Sequence, residues 1–172
     1  ILMKVIDNCL PKDNFNTLQT FLMGDLINWN YKNTIDYDNK SGKDIFQFIH
    51  MFYINTITES ASPYFETLNP IIGILKPSLL ARIKANLLTK TPSIIENEFH
   101  VDINLESQEN LKLFTTSIFY VNTNNGYTEF EDGTKIESVE NRLVTFPTNM
   151  KHRGTSCTDK NTRVVINFNY IK

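Results

Sequence analysis

The stretch Phe99-His100-Val101-Asp102 sets an imidazole and a carboxylate two residues apart at the end of an extended-looking run. Successive side chains of a β-strand point to opposite faces, so His100 and Asp102 are expected to share a face. One more nitrogen ligand on that face would complete a two-histidine, one-carboxylate triad, the ligand set that suits non-haem Fe(II) with open coordination positions. His152 is the candidate, because the chain has only three histidines and the third, His50, lies far upstream.

The bulk composition is that of an ordinary globular protein. The chain has 172 residues, of which 41% are hydrophobic and 21% charged, and such a length can bury a single core. The net charge of -2 provides no general field that would attract nucleic acid or an anionic membrane, so neither is an expected partner. The two cysteines, Cys9 and Cys157, do not form a disulfide framework, which favours a reducing, cytoplasmic location, with Cys157 as a surface thiol.

The first part of the chain shows a helical pattern followed by a polar segment. Apolar side chains recur at three- and four-residue spacing after Asp13, a potential N-cap, and they predict an amphipathic helix to about Ile27. Residues 29–43 are polar with interspersed tyrosines, which indicates a loop with a short strand at most. A loop of this length suits the mouth of a site, and we expect substrate contacts there and in residues 56–62.

Two further helical segments are predicted before residue 80. Ile45–Asn55 follows a potential cap at Asp44 and has apolar residues at helical spacing. His50 lies on this segment and is interpreted as a structural histidine, with a contact to substrate as the alternative. Ser62 and Pro63 are a typical helix start, so residues 63–75 are expected to form one kinked helix or two short ones.

The second half of the chain has the texture of β-structure. A strand is expected from about Arg82, and Asp132-Gly133 is a strong hairpin signal. Helices followed by strands indicate an α+β fold with helices packed outside an antiparallel β sandwich or barrel. We therefore predict one domain over 1–172, with 1–80 as a mainly helical support and 81–172 as the β core. The further predicted strands are 94–101, 113–122, 127–131, 135–139, 142–146 and 163–170.

An arginine follows the candidate ligand His152 along the chain. The strand that begins at Arg142 runs into a loop containing Pro147 and then reaches His152. Arg163 comes eleven residues later, at the start of a strand rich in apolar residues. Its guanidinium could hold a carboxylate through two parallel charge-assisted bonds, which lysine does less well.

The order His100, Asp102, His152, Arg163 resembles the Fe(II)- and 2-oxoglutarate-dependent dioxygenase superfamily. Residues 117–122 and 125–130 look like its prolyl 4-hydroxylase-like branch, in which a strand ends in Tyr-aliphatic-Asn and passes through a Gly-Gly turn into the next strand. The resemblance covers roughly residues 80–171. It implies a double-stranded β-helix, the jelly-roll or cupin-like fold, with the N-terminal helices packed against it.

The resemblance also implies roles for individual residues and a set of cofactors. The metal would be Fe(II), with 2-oxoglutarate as cosubstrate, O2 as oxidant and ascorbate as a reductant. Tyr120 would donate its hydroxyl to the cosubstrate, and Arg163 would pair with the far carboxylate of that molecule. Asn167, four residues after Arg163 on the same strand face, could add a hydrogen bond, as could Asn86. The implied catalytic metal ligands are His100, Asp102 and His152.

The expected activity is hydroxylation of a C–H bond in a protein side chain, with formation of succinate and CO2. The presence of Asp102 argues for hydroxylation, since the resemblance implies that halogenating relatives lack this carboxylate. Tyr127 replaces the second glycine of the Gly-Gly turn, and Val165 stands where many relatives have a hydroxyl. Two alternatives stay open: an oxygenase acting on a small molecule, and a non-catalytic cupin-like binding module. The sequence does not define the oligomeric state.

Overall fold

The computed structural model describes residues 3–35, 45–55, 59–103 and 108–172. Its helices are α1 (Lys12–Met23), a 3-10 turn (Phe65–Leu68), α2 (Asn69–Leu75) and α3 (Gln108–Leu111). Its strands are β1 (Lys4–Ile6), β2 (Asn30–Lys32), β3 (Gln47–Asn55), β4 (Glu59–Ala61), β5 (Leu79–Thr89), β6 (Thr115–Tyr120), β7 (Tyr127–Phe130), β8 (Lys135–Glu137), β9 (Arg142–Pro147), β10 (His152–Gly154) and β11 (Thr162–Ile171).

Within these residues the strands form two antiparallel sheets. The larger has the order β1-β9-β6-β11-β5-β3-β2, with β4 paired to β3, and the smaller has the order β10-β7-β8. Neighbours in the larger sheet are distant in sequence, as β11 lies between β5 and β6. This confirms the predicted α+β class with an antiparallel β core. No helix in the described part of the chain is long and apolar enough to cross a bilayer.

Two central strands divide their side chains between a core face and a polar face. On β11, the buried residues Val164, Ile166, Phe168 and Tyr170 join the main hydrophobic cluster together with side chains of α1. Arg163, Val165, Asn167 and Asn169 alternate with them and therefore lie on the opposite face. The same alternation on β5 separates Ile83 and Ala85, which join the main cluster, from Arg82, Lys84 and Asn86. The polar face of the central sheet is where a site can form.

The helix predicted over Ile45–Asn55 is wrong, because the described residues from Gln47 to Asn55 form strand β3. This strand lies between β2 and β5, and it has apolar residues on both faces. Phe52 joins the main hydrophobic cluster, whereas Ile49 and Met51 are apolar residues on the other face. Because both faces carry apolar residues, the strand has no polar alternation, and its apolar spacing can also fit a helix. The proposed cap, Asp44, lies outside the described residues.

Other boundaries differ from the sequence prediction by smaller amounts. Helix α1 begins after Pro11 without a side-chain cap, so Asp13 is not the N-cap, and it ends at Met23 rather than near Ile27. Residues 94–101 do not form a continuous strand, since only the single bridges Glu96 to Thr155 and His100 to His152 form there.

Several local predictions are confirmed. Residues 63–75 contain two short helical segments, the 3-10 turn and α2, and the strand expected from about Arg82 is β5, which starts at Leu79. The Asp132-Gly133 hairpin joins β7 and β8, with Gly133 at a φ of 85° and the Asp132 carboxylate accepting from the Thr134 N–H at 2.9 Å. Short polar turn residues thus determine the local structure where the propensity is strong.

Asn141 joins the N-terminal segment to the start of β9. Its side chain accepts from the Leu10 N–H at 2.8 Å and donates to the Leu10 carbonyl at 2.9 Å, and both groups are buried. Its φ of 58° is left-handed, a conformation that asparagine tolerates better than most residues.

We predict that Asn141→Ala destabilises the protein by about 2 to 4 kcal/mol, because it leaves two buried backbone groups unpaired and strains the left-handed residue. Asn141→Gly should cost about 1 kcal/mol less, since glycine adopts positive φ freely. Urea unfolding of both variants measures this, with the exposed helix variant Asn14→Ala as control. If the alanine and glycine variants lose the same free energy of unfolding, the left-handed φ of residue 141 makes no contribution to stability.

Candidate metal centre

The three predicted metal ligands meet at one point in the fold. Donor atoms of His100, Asp102 and His152 all lie within 4.8 Å of one another. Asp102 Oδ1 is 3.7 Å from His100 Nε2 and 3.6 Å from His152 Nε2. The side chains of Asp102 and His152 are buried, and that of His100 is partly exposed. The geometry therefore brings together a two-nitrogen, one-oxygen donor set with an accessible side.

The two histidines are fixed to each other by their own backbones. The His100 N–H donates to the His152 carbonyl at 2.9 Å, and the His152 N–H donates to the His100 carbonyl at 3.0 Å. Each Nδ1 also faces a backbone carbonyl, that of Glu98 at 3.0 Å for His100 and that of Met150 at 3.3 Å for His152. A carbonyl can only accept, so Nδ1 carries the proton and Nε2 presents its lone pair to a metal.

Two asparagines on β11 hold the Asp102 carboxylate. Asn167 Nδ2 donates to both oxygens, at 3.2 Å for Oδ1 and 3.0 Å for Oδ2, and Asn169 Nδ2 donates to Oδ2 at 3.2 Å. Arg82 Nη2 lies 3.7 Å from Oδ1, and Arg82 Nε donates to Asn169 Oδ1 at 3.1 Å. Because Oδ2 accepts both amides, Oδ1 is oriented toward the histidines.

The electrostatics of the site favour metal binding at neutral pH. Burial alone would raise the pKa of Asp102, but the hydrogen-bonding and charge of His152, with Arg82 and His100, hold that pKa well below its usual value. Burial lowers the pKa of His100, and the neighbouring His152 lowers it further. Asp102 is therefore an anion and His100 is neutral, the protonation states that a metal requires of these ligands.

Arg163 is buried beside this cluster, with 3% of its surface exposed. Its Nε donates to Ser138 Oγ at 2.9 Å and its Nη2 donates to Thr128 Oγ1 at 3.2 Å. Burial lowers its pKa, yet a guanidinium keeps its charge. Within the described residues no carboxylate lies within 4.0 Å of it. A buried cation with hydroxyl partners alone is a suitable site for the carboxylate of a ligand.

A glycine makes room for the arginine. A Cβ on Gly126 would lie 2.7 Å from Arg163 Cδ and 2.7 Å from the Ser156 carbonyl oxygen, so any other residue would displace one of them. Gly126 is the glycine of the turn that the sequence resemblance singled out. Tyr127, its neighbour, donates its hydroxyl to Glu96 at 2.6 Å. Tyr127, which replaces the second glycine of the turn, thus adds a contact with the segment that precedes His100.

Tyr120 lies close to Arg163 but is hydrogen-bonded within the protein. Its ring centre is 5.9 Å from the guanidinium carbon, and its hydroxyl donates to Thr128 Oγ1 at 2.8 Å. Burial raises the pKa of Tyr120, which keeps the phenol protonated. Thr128 Oγ1 accepts from both Tyr120 and Arg163, so its own proton is available to a ligand. Sequence reasoning missed Thr128, because the four residues of β7 show no pattern that marks a site residue.

Two cavities meet at the metal centre. The Arg163 cavity, about 60 Å³, is lined by Arg163, Thr128, Asn86, Asn167 and His152 among others. The Lys32 cavity, about 310 Å³, is lined by Lys32, Thr34, Ile49, Met51 and Arg82 among others. Ile35, Gln47, Lys84, His100 and Asp102 line both.

The cavities also locate the remaining sequence predictions. Lys32, Thr34 and Ile35 belong to the predicted 29–43 loop, which contains the short strand β2, and they line the Lys32 cavity. Residues 36–43 and 56–58 lie outside the described residues. Asn167 Oδ1 is buried without a hydrogen-bond partner in the described structure and can accept from a ligand. Sequence reasoning missed Lys84 and Asn169, although strand alternation from Arg82 and Arg163 would have placed both on the site face.

The other two candidate residues lie apart from the centre. His50 is buried, with Nδ1 donating to the Asn28 carbonyl at 2.8 Å and Nε2 accepting from Ser62 Oγ at 2.8 Å, and this supports the structural interpretation. Cys157 is buried, so its prediction as a surface thiol is wrong; its Sγ donates to the Lys160 carbonyl at 3.3 Å.

Comparison with known proteins finds similarity at the level of structure. No family model matches the sequence, and no curated protein matches it either. A Trichoplax adhaerens prolyl hydroxylase, solved in complex with a hypoxia-inducible factor peptide, has a TM-score of 0.68 at 12% identity over 98% of this chain and 83% of its own. A Burkholderia pseudomallei 2-oxoglutarate-Fe(II) oxygenase has a TM-score of 0.67 at 10% identity over 98% and 84%.

A third similar structure has a different kind of ligand. HygX from Streptomyces hygroscopicus, with nickel, 2-oxoglutarate and hygromycin B bound, has a TM-score of 0.60 at 9% identity over 98% of this chain and 82% of its own. The chain therefore has the double-stranded β-helix fold of the Fe(II)- and 2-oxoglutarate-dependent oxygenases, which confirms the fold that the sequence resemblance implied. At these identities the likeness concerns the fold, and function must be argued from the site.

We predict that Asn169→Ala weakens binding of Mn(II), a stand-in for Fe(II), by about 10- to 100-fold, because the Asp102 carboxylate loses a group that orients it. Isothermal titration with Mn(II) measures the affinity, and a melting curve shows that the variant is folded. The exposed variant Asn125→Ala should bind like the wild type. Unchanged affinity in Asn169→Ala would remove Asn169 from the support of the ligand.

Proposed function

We propose that this chain is an Fe(II)- and 2-oxoglutarate-dependent dioxygenase that hydroxylates a C–H bond, with formation of succinate and CO2. The single observation that carries the proposal is the convergence of His100, Asp102 and His152 within 4.8 Å beside the buried Arg163, in one cavity. The donor set fits Fe(II), because two imidazoles and one carboxylate leave coordination positions open. When bound, the iron would supply the activation of dioxygen for the oxidation.

The protein residues would bind and orient the cosubstrate. Arg163 would take the far carboxylate of 2-oxoglutarate through its guanidinium, assisted by the hydroxyl of Thr128. Tyr120 would act through Thr128, to which its hydroxyl donates. Asn167 would hold Asp102 and offer its Oδ1 to a ligand. The buried surroundings of these groups would exclude water from the cosubstrate.

A protein side chain is the substrate that we propose, in line with the prolyl 4-hydroxylase-like sequence pattern. The Trichoplax prolyl hydroxylase structure contains a peptide, and that similarity supports the proposal. HygX, a structure of the same fold, contains hygromycin B, so a small molecule is the alternative. We propose a cytoplasmic location on the cysteine content, and ascorbate as the reductant that keeps the iron ferrous.

Anaerobic titration of the Fe(II)-loaded protein with 2-oxoglutarate tests the proposal without a substrate. We expect a weak visible metal-to-ligand charge-transfer band that saturates with 2-oxoglutarate. In Arg163→Ala the dissociation constant should rise about 10- to 100-fold, because a charge-assisted hydrogen bond contributes roughly 1.5 to 3 kcal/mol. Arg142→Ala, which removes a surface arginine paired with Asp7, is the control and should leave the titration unchanged. Iron binding without a band would favour the non-catalytic cupin-like module.

Removal of a ligand should abolish turnover. We predict that Asp102→Ala and His152→Ala lose Fe(II) binding and form no succinate from 2-oxoglutarate, whether or not substrate is present, because each leaves two protein donors. Succinate formation by NMR and iron content by colorimetry measure the two effects. Full succinate formation in either variant would show that the residue is not a ligand.

A further inference from the structure

We propose that the Lys32 cavity binds the substrate through an anionic group, a carboxylate or a phosphate, with Lys84 and Lys32 as its positive partners. This inference rests on the proposed oxygenase function and adds the chemical class of its substrate. It follows from the placement of three cations in a cavity that touches two of the three metal ligands.

The Lys32 cavity is the larger space beside the metal centre. It has a volume of about 310 Å³, and both His100 and Asp102 line it. Ile49, Met51 and Ile54 form an apolar part of its wall on β3 and can contact the carbon skeleton of a substrate. Lys84 lines both cavities, whereas Arg163 lines only the smaller one and Lys32 only the larger one, so the proposed carboxylate site of 2-oxoglutarate is distinct from the part of the larger cavity that Lys32 lines.

The charges that line the Lys32 cavity do not balance. Among the described residues it has three cations, Lys32, Arg82 and Lys84, and one anion, Asp102. Asp102 already has two amide donors and Arg82 as neighbours, and it would be a metal ligand in the loaded protein. A divalent metal would make the cavity still more positive. An anionic substrate is the partner that such a surface recognises.

Lys84 is the central cation of this set. It lies on β5 opposite Asn167 on one side and Met51 on the other, so its side chain rises from the middle of the sheet toward the metal centre. It has no hydrogen bond or ion pair within the described structure. Burial, with the nearby charges of Arg82 and Lys32, lowers its pKa to about 8, so at neutral pH it remains mostly protonated.

An ammonium in this position lowers the stability of the folded protein unless a partner is bound. Removing a charge from water is costly without compensation, and a methionine or leucine would occupy the same strand position at no such cost. A carboxylate or phosphate group bound by both Lys84 and Lys32 would offset this desolvation cost. Lys32 lies on the exposed strand β2 and lines the same cavity, so it would contact the more exposed side of the same anion.

Fluorine NMR of small probes tests the inference before the substrate is known. The protein is loaded with paramagnetic Mn(II) and saturating 2-oxoglutarate, and trifluoroacetate is titrated in. The fluorine nuclei of a probe bound near Mn(II) relax faster. The probe concentration at which this enhancement saturates gives the affinity. Trifluoroacetamide is the neutral counterpart, and monofluorophosphate reports whether a phosphate is bound more tightly than a carboxylate.

We expect saturable relaxation for at least one anion and none for trifluoroacetamide. Lys84→Met should weaken the binding of the anion about tenfold or more, and Lys32→Met should weaken it less, because Lys32 is exposed. Lys112→Met removes a surface lysine remote from the cavity and should match the wild type. The affinity for 2-oxoglutarate should change less than twofold in Lys84→Met.

Three results would overturn the inference. Equal binding of the anion by Lys84→Met and wild type would show that Lys84 does not recognise it. Equal relaxation of trifluoroacetamide and trifluoroacetate would show that the cavity does not distinguish an anionic probe from a neutral one. A tenfold loss of 2-oxoglutarate affinity in Lys84→Met would assign Lys84 to the cosubstrate instead. If the wild type with Mn(II) bound takes up no 2-oxoglutarate, the proposed function itself fails, which distinguishes the two.

Discussion

The pairing of β11 with β5 and β6 is the constraint on which the rest of the structure depends. In this register Val164, Ile166 and Phe168 face the main core, while Arg163 and Asn167 face the cavities. Side chains alternate with a period of two, so a slip of one residue would bury Arg163 in the hydrophobic core and turn the apolar residues of β11 toward the candidate metal ligands. The same strand register therefore determines both the hydrophobic core and the position of the site.

The segment that carries His100 and Asp102 has little regular structure of its own. It is held by the paired backbone bonds between His100 and His152, by amide donors on the Asp102 carboxylate and by Arg153. Arg153 contacts Glu96 and Glu129, each at 2.6 Å, and lies over the Phe99 ring at 4.5 Å. Contacts from β7, β10 and β11 thus position a segment whose local sequence does not form a strand. A bound metal would join the same elements and stabilise them further.

Two positively charged side chains at the site, Arg163 and Lys84, form no ion pair within the described residues. Arg163 is surrounded by hydroxyls, and Lys84 has no partner in the described structure, whereas surface cations such as Arg142 pair with carboxylates. Asp102 is the one acidic side chain among the described residues that line the two cavities. Asn167 and Asn169 both donate to its Oδ2, and its Oδ1 faces the two histidines. This distribution is consistent with the proposed dicarboxylate cosubstrate and anionic substrate, because neither Arg163 nor Lys84 forms an ion pair with a carboxylate of the described residues.

Local patterns in the sequence were enough to predict the candidate metal ligands, one hairpin and one helix. The spacing of His100 and Asp102, the later His152 and Arg163, the Asp132-Gly133 hairpin and helix α1 could all be predicted from local patterns. These depend on the period of a strand or helix and on turn chemistry, which act over a few residues.

The long-range contacts of the fold set which side chains meet and which stretches become strands. They made Gln47–Asn55 a strand between β2 and β5, which the sequence did not indicate because apolar residues on both faces leave no polar alternation. They also brought Asn169 to Asp102, Thr128 to Arg163 and Lys84 to the larger cavity. Contacts between residues that are distant in the chain follow from sheet order and register, which no local pattern contains.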